Sequence, residues 1–503
     1  MTDETSLVES TAEAAIEPPP VSAALRSAAV YALGAALPRA IGLLTLPIYT
    51  RVLRPDQYGT FSLLVAISSA VAIFLALGLD VAIFRLYFQL ASDPERQQRF
   101  VNSVWSMLIF VPTAAACVIG VAVWPFMGHA RFGGLDLFLA LAGSGVGVAA
   151  LTVPLAVLRV EQRLRTFLLV TTVATLTNVG FSLLFVVELR WGVRGWLAAA
   201  IVANVLTLAT AVVVVPYRRP QPLDGPLLRH ALGFGAPLVP HSLAHWALQA
   251  ADRVVIAGIV SQAALGVYSL ASNLGLPVLM LVQSINYGFM PSYARAGAGT
   301  ESRRRLADIV VLQATVVAFI CAGCALLAPP FIELVTPSSY GHAGPLVPWI
   351  ALGYAFLGLY FIPMNGMSLG GGRTKFAAVT SVAGAGTNIG LLYLLVPTGG
   401  IHAAAVASAL AYAVLLVAVF VYAWRPENPV RYRWLALATM FSVVGGDYVL
   451  AKVITSDSGG LASLLIRGAL LVAASPVVLL ARPGSRSRVR DSFRRVTHRI
   501  GFE

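Results

Sequence analysis

The chain has 503 residues, of which 58% are hydrophobic and 11% charged, with a mean hydropathy of +0.80. That composition excludes a soluble enzyme, and apolar runs recurring from end to end remove the usual link between length and the number of globular domains. The net charge of +13 would suit a nucleic-acid partner, but the basic residues fall mainly in short segments between apolar runs.

Residues 1–25 are an acidic arm: Asp3, Glu4, Glu9, Glu13 and Glu17 precede Pro18-Pro19-Pro20. The arm is expected to be disordered and cytoplasmic, and it lacks the basic start and cleavable apolar core of a signal peptide. Apolar spans then follow at 28–50, 59–80, 101–124, 135–158, 167–187, 195–215, 230–251, 264–287, 307–328, 345–366, 376–396, 402–424, 434–454 and 461–481. Each approaches the roughly 20 residues that a helix needs to cross the hydrocarbon core.

The first span carries Arg39 in its middle. A guanidinium there costs a few kcal/mol and cannot shed its proton, so it must face either an anion-attracting cavity or an ion-pair partner between helices. Pro38 and Pro47 remove backbone donors and are expected to bend this helix. Cys117, Cys321 and Cys324 all fall in apolar runs, so packing is expected of them, not disulfides or zinc.

An even number of spans puts both termini on one side. With the termini inside, 26 Lys and Arg residues are internal and 8 external, the arrangement that the positive-inside rule requires. The tail 483–503 is basic, follows a span directly and has one aromatic, Phe493; it is expected to meet anionic lipid headgroups and not nucleic acid.

Four pairs of passages repeat in the same order. Tyr58-Gly59-Thr60-Phe61-Ser62-Leu63 echoes Leu265-Gly266-Val267-Tyr268-Ser269-Leu270, and Thr177-Asn178-Val179-Gly180 returns as Thr387-Asn388-Ile389-Gly390. The alanine run at 198–200 returns at 403–405, and Thr50-Arg51-Val52 resembles Asp252-Arg253-Val254. A repeat of six helices keeps its orientation, which predicts two lobes about an axis along the membrane normal. The expected fold is thus an all-α polytopic membrane protein with about fourteen transmembrane helices: two pseudo-symmetric six-helix lobes plus two C-terminal helices. The lobes cover 26–222 and 223–425, and the last two spans lie within 426–482.

The stretch LPIYTRVLRPDQYGTFSL (46–63) resembles the opening signature of the Wzx-like polysaccharide-unit flippases, within the multidrug/oligosaccharidyl-lipid/polysaccharide (MOP) exporter superfamily. The passage from Gly235 through Pro237 and Pro240 to Asp252-Arg253 looks like the family's second-half signature. The resemblance implies a flippase that moves undecaprenyl-pyrophosphate-linked oligosaccharides across the cytoplasmic membrane, with a polysaccharide polymerase and glycosyltransferases as further partners. It makes Arg39, Arg85 and Arg253 candidate cations of a central cavity. The chemistry suits them, because a guanidinium fork matches pyrophosphate oxygens. For Arg85 and Arg253 the competing role is an interfacial anchor, or a local pair with Asp80 or Asp252.

Arg51 matches Arg253 in the repeat and is expected at the external mouth on the opposite lobe. His241 and His245 share a helix face; without a third ligand or a general-base glutamate they suit a polar cavity wall better than zinc. Gly370-Gly371-Gly372 lacks the phosphate-cradling spacing, so no nucleotide or other cofactor is expected. A multidrug antiporter would favour intramembrane carboxylates; a lipid II flippase fits the same charge pattern. A glycan polymerase or glycosyltransferase would need a folded external loop or an acidic catalytic pair, so no enzyme is expected.

Reporter fusions after Arg219, Arg305 and Arg425 should read as cytoplasmic, and fusions near Arg131 and Pro397 as external. A cytoplasmic signal at Arg131 would overturn the fourteen-span topology.

Overall fold

The structure, a computed structural model, describes residues 38, 40–123, 133–215, 223–294, 300–368, 375–423, 432–455 and 460–476. Arg39, the N-terminal arm, the glycine-rich turn at 370–372 and the basic tail lie outside the described residues.

Apolar runs become helices here because a backbone in lipid must satisfy its own hydrogen bonds. The order is α1 (Ala40–Val52), α2 (Pro55–Ala76), α3 (Leu79–Gln89), α4 (Pro94–Val123), α5 (Gly134–Val160), α6 (Leu164–Ser182) and α7 (Gly192–Val214). Next come α8 (Gly225–Gly235), α9 (Val239–Ile259), α10 (Gln262–Ala294), α11 (Thr300–Val335), α12 (Val347–Ser368), α13 (Lys375–Ala423), α14 (Trp434–Ile454) and α15 (Gly460–Ala474). No strand occurs among the described residues. Large apolar side chains such as Phe110, Leu394, Val421 and Leu435 stand on the outside, where a bilayer and not water is their solvent. The protein is a multi-pass, all-α membrane protein.

Ten helical stretches among the described residues are long and apolar enough to cross a membrane. The shortfall from fourteen has physical causes. α13 is one stretch of apolar sequence interrupted at Gly400, whose φ of 57° leaves the helical region. α9 carries too many polar residues, and α1 and α15 are shorter apolar helices. The second expected span is itself broken: Leu77 and Gly78 are both left-handed, with φ of 51° and 66°, and separate α2 from α3. The seventh breaks at a 3-10 turn, Ala236–Leu238, between α8 and α9. Pro237 and Pro240 sit in the first positions of that turn and of α9, where their missing donors leave no helical bond unmade.

The helices of residues 79–214 pack chiefly on one another, as do those of 239–423; α2 lies between the two sets and packs on both, and α14 and α15 lie against α11. α8 crosses this division. It follows the first half in the chain, yet it buries Leu227, Leu228 and Ala231 in the first-half core beside Leu79, Ile83 and Phe100. Its N-cap Asp224 accepts from the Leu227 amide at 3.1 Å and donates its own amide to Ser103 Oγ at 3.1 Å.

The halves meet where α2 crosses α10. A Cβ on Gly59 would stand 1.9 Å from the Gln262 carbonyl oxygen, and one on Gly266 would stand 1.9 Å from that of Pro55. Ser269 Oγ bonds Ser62 Oγ at 2.7 Å, and Asn273 Nδ2 donates to Tyr58 Oη at 2.6 Å. Gly59 and Gly266, and likewise Ser62 and Ser269, are the repeat's own matched residues, so the two copies of the motif touch each other. Tyr340, in the 3-10 segment Ser338–Leu346, donates to the Leu53 carbonyl at 3.1 Å and covers the crossing. Further along, α2 packs on α9, and Gly78 meets Gly235 backbone to backbone.

Gly59→Val and Gly266→Val are each expected to cost about 3 kcal/mol or more, because backbone and not a flexible side chain must move. Gly180→Ala, with open space around its Cβ position, serves as the neutral control. Thermal unfolding in detergent measures this, and the double valine variant should cost less than the sum, since both act at one contact. Wild-type stability of Gly59→Val would mean that the crossing is not held this closely.

Candidate transport site

Helix α9 differs from its neighbours in carrying a polar stripe. His241, His245, Gln249 and Arg253 follow at steps of four and so share one face. His241 and His245 are exposed, and Gln249 and Arg253 half-buried. His245 Nε2 lies 2.7 Å from Gln249 Nε2, and the Gln249 carbonyl accepts from Arg253 Nη1 at 2.7 Å, making a chain of hydrogen bonds along the helix. Beside the stripe, Trp246 Nε1 donates to the Ala66 carbonyl at 3.2 Å and Ser69 Oγ at 3.0 Å, tying α9 to α2 across the two halves.

The stripe ends in a buried ion pair. Arg253 Nη1 stands 3.2 Å from Asp252 Oδ1, which also accepts the Arg253 backbone amide at 2.8 Å. Asp252 Oδ2 accepts the Tyr268 hydroxyl of α10 at 2.5 Å. Both carboxylate oxygens are thus occupied, the condition under which a carboxylate survives away from water. The pair borders a cavity of about 40 Å³ lined also by Tyr354 of α12 and by Ser408 and Tyr412 of α13. That volume holds a water or a small ion and excludes a sugar. Arg253 therefore stands with Asp252, the local pairing that competed with a free cavity cation.

The other candidates are dispersed. Arg51 is exposed at the end of α1 and does not line this cavity. Arg85 lies on α3, its guanidinium 4.5 Å from the centre of the Phe234 ring, in a separate groove between α3 and α8. The structure brings His241, His245, Asp252 and Arg253 together on one helix, and it leaves Arg51 and Arg85 apart from them. No group of three or more metal-ligating side chains occurs among the described residues.

Sequence reasoning did not name Tyr268 as a site residue, although it lies within the repeated passage 265–270. It also missed Arg467, inside the last expected span. That residue lies within α15, where Nη1 donates to the Leu326 carbonyl at 3.0 Å and Nε to Thr455 Oγ1 at 2.8 Å.

Residues 48–345 match the family described as polysaccharide biosynthesis protein. Among solved structures the chain is similar to the lipid II flippase MurJ in an inward closed conformation, with 12% identity and a TM-score of 0.65 over 87% of this chain and 98% of that one. It is similar also to a multidrug-resistance MATE-family transporter of the MOP superfamily. The inward-facing form gives 15% identity and a TM-score of 0.60 over 80% of this chain and 95% of that one. The outward-facing form gives 16% and 0.52 over 82% and 96%. At these identities the likeness is one of fold. No curated protein sequence matches the chain.

Asp252→Asn is expected to lower stability by about 3 kcal/mol, because it strands a buried guanidinium. Tyr268→Phe should cost about 2 kcal/mol, the value of a hydrogen bond to a charged group. Replacing both members, as Asp252→Asn with Arg253→Gln, should recover part of the loss. Unfolding in detergent reports all three, and an unchanged Asp252→Asn protein would contradict the buried pair.

Proposed function

Because the chain belongs to the polysaccharide biosynthesis protein family and has the fold of the MOP-superfamily transporters, we propose that it is a flippase for polyprenyl-pyrophosphate-linked oligosaccharides in the cytoplasmic membrane, with both termini inside. The observation that carries this reading is the stripe of α9: one helix of an otherwise apolar bundle offers imidazole, amide and guanidinium groups in line, next to the contact between the halves. A glycan headgroup needs neutral donors and acceptors along its path, whereas a cationic drug needs unpaired carboxylates; the one carboxylate of the stripe, Asp252, is already paired.

In this mechanism the halves, 26–222 and 223–425, rock about a central cavity while the polyprenyl tail stays in lipid. Arg39 of the first span supplies the cationic partner for the pyrophosphate, and its fork holds two oxygens at once. The α2–α10 crossing is one of the two closures that alternate. The breaks at Leu77–Gly78, after α2, and at Ala236–Leu238, before α9, give these spans places to bend.

The test is reconstitution. Proteoliposomes carrying a fluorescent polyprenyl-pyrophosphate oligosaccharide should equilibrate it between leaflets faster than empty vesicles. Arg39→Ala should abolish the acceleration and Arg39→Lys restore part of it. In a background lacking Cys117, Cys321 and Cys324, oxidation of a Ser62→Cys/Ser269→Cys pair should stop transport, and reduction should restore it. Transport of lipid II alone would reassign the cargo, transport of cationic dyes alone would reject the glycan reading, and normal flipping by the crosslinked protein would reject the rocking motion.

A further inference from the structure

A groove of about 860 Å³ runs between α3 and α8, and its position is fixed by contacts described above. α8 buries Leu227, Leu228 and Ala231 in the first-half core, which leaves Arg229, His230 and Gly233 on its exposed side. α3 buries Ala82, Ile83 and Leu86 and turns Arg85 and Gln89 outward beside them. The Phe234 ring underlies the Arg85 guanidinium, holding it by a cation–π contact at the groove wall.

The charge in this groove is one-sided. Arg85 and Arg229 take part in none of the ion pairs found among the described residues. No acidic side chain lines the groove. Asp224, which precedes it, is engaged as the α8 N-cap. Asp80 lies five residues before Arg85, on another face of α3. Two guanidinium groups, an imidazole and an amide therefore converge on a space with no counter-anion of the protein's own.

Depth completes the argument. Tyr87 of α3 donates to Glu161 Oε1 at the turn from α5 to α6, and Gln97 of α4 donates to the Tyr87 carbonyl at 2.7 Å. The groove thus lies at the bundle end that also carries Arg96, Arg99, Arg159 and Arg163, where the apolar helices give way to basic connections. That is the level of the lipid headgroups. Arginine forks at this level match phosphate oxygens two at a time, and the volume takes a phosphate together with its glycerol or first sugar.

We propose that the α3–α8 groove is a binding site for the phosphate group of an anionic membrane lipid, held by Arg85 and Arg229 with His230 and Gln89 as further donors. The site lies outside the α9 stripe and stands whatever molecule the protein transports. A lipid seated there bridges α3 to α8, and through α8 it steadies the start of the second half against the first.

The experiment is native mass spectrometry of the full chain released from detergent containing phosphatidylglycerol, with phosphatidylcholine as the zwitterionic control. The intact protein should retain phosphatidylglycerol, and Arg85→Ala/Arg229→Ala should weaken retention at least about tenfold, the effect of losing charge-assisted hydrogen bonds. Arg96→Ala, at the same end but outside the groove, should retain it as the unmodified protein does. Both side chains are exposed, and a detergent melting curve verifies that each variant is folded. A second arm adds inorganic phosphate and pyrophosphate. If they leave lipid retention unchanged, the acyl chains contribute and the site is a lipid site; if millimolar phosphate displaces the lipid, a free phosphate ion occupies the groove and the lipid assignment fails. Equal retention by the double variant, or equal loss in Arg96→Ala, would overturn the proposal.

Discussion

The closeness of α2 and α10 at Gly59 and Gly266 is the constraint on which the rest of the arrangement depends. In lipid no hydrophobic force drives helices together, so association rests on close packing and on hydrogen bonds between helices. Small residues allow both here: the missing Cβ atoms let backbone reach backbone, and at that distance Ser62 meets Ser269 and Tyr58 meets Asn273. With α2 held against the second half, Trp246 of α9 reaches the Ala66 carbonyl, and the polar stripe comes to rest beside the seam. The largest buried cluster spans both halves for the same reason, joining Tyr49, Tyr58 and Leu63 to Ile256, Tyr268 and Tyr340.

The protein handles its polar groups in the membrane in two ways. Several buried groups are matched: Asp252 with Arg253 and Tyr268, Asn286 with Asn365 at 2.7 Å, the Gln313 carbonyl with Tyr293 at 2.7 Å, and Arg467 with a carbonyl and a threonine. Others are exposed, as at His241, Arg51, Arg85 and Arg229. The second kind marks the surfaces open to a polar ligand, because an exposed cation keeps its hydration until something better replaces it. The first kind specifies packing, since breaking a buried ion pair costs about 3 kcal/mol and stranding a buried hydrogen-bonding group about 1–3 kcal/mol.

Much of this was legible in the sequence, and the reasons differ by element. The helices were legible because apolar length alone decides them, and the polar stripe of α9 dilutes that signal. The paired passages were legible as shared letters, but not that one pair of them meets at Gly59 and Gly266. Breaks inside spans were hidden: nothing local distinguishes Leu77-Gly78 from the other glycine steps until Gly235 packs against it. Local partners such as Asp252 and Arg253 stood side by side in the chain. Distant ones did not, so the Phe234 ring beneath Arg85 and the Leu326 carbonyl facing Arg467 were out of reach of spacing arguments. Prolines 237 and 240 lie inside the single expected span 230–251 and stand instead at the starts of two helical segments.

The crossing also sets a timetable for biogenesis. Gly59 and Gly266 are separated by more than two hundred residues of chain. At roughly 5–20 residues per second of synthesis, α2 waits about 10–40 s in the bilayer before α10 is made. During that interval its glycine and serine face has no partner and meets only lipid or the insertion machinery. α8 shortens the wait for its own neighbours, since its docking on α3 and α4 draws on first-half residues that are already in place when it emerges. It therefore reaches its site before most of the second half exists, and can guide α9 toward α2 while α10 is still in the ribosome.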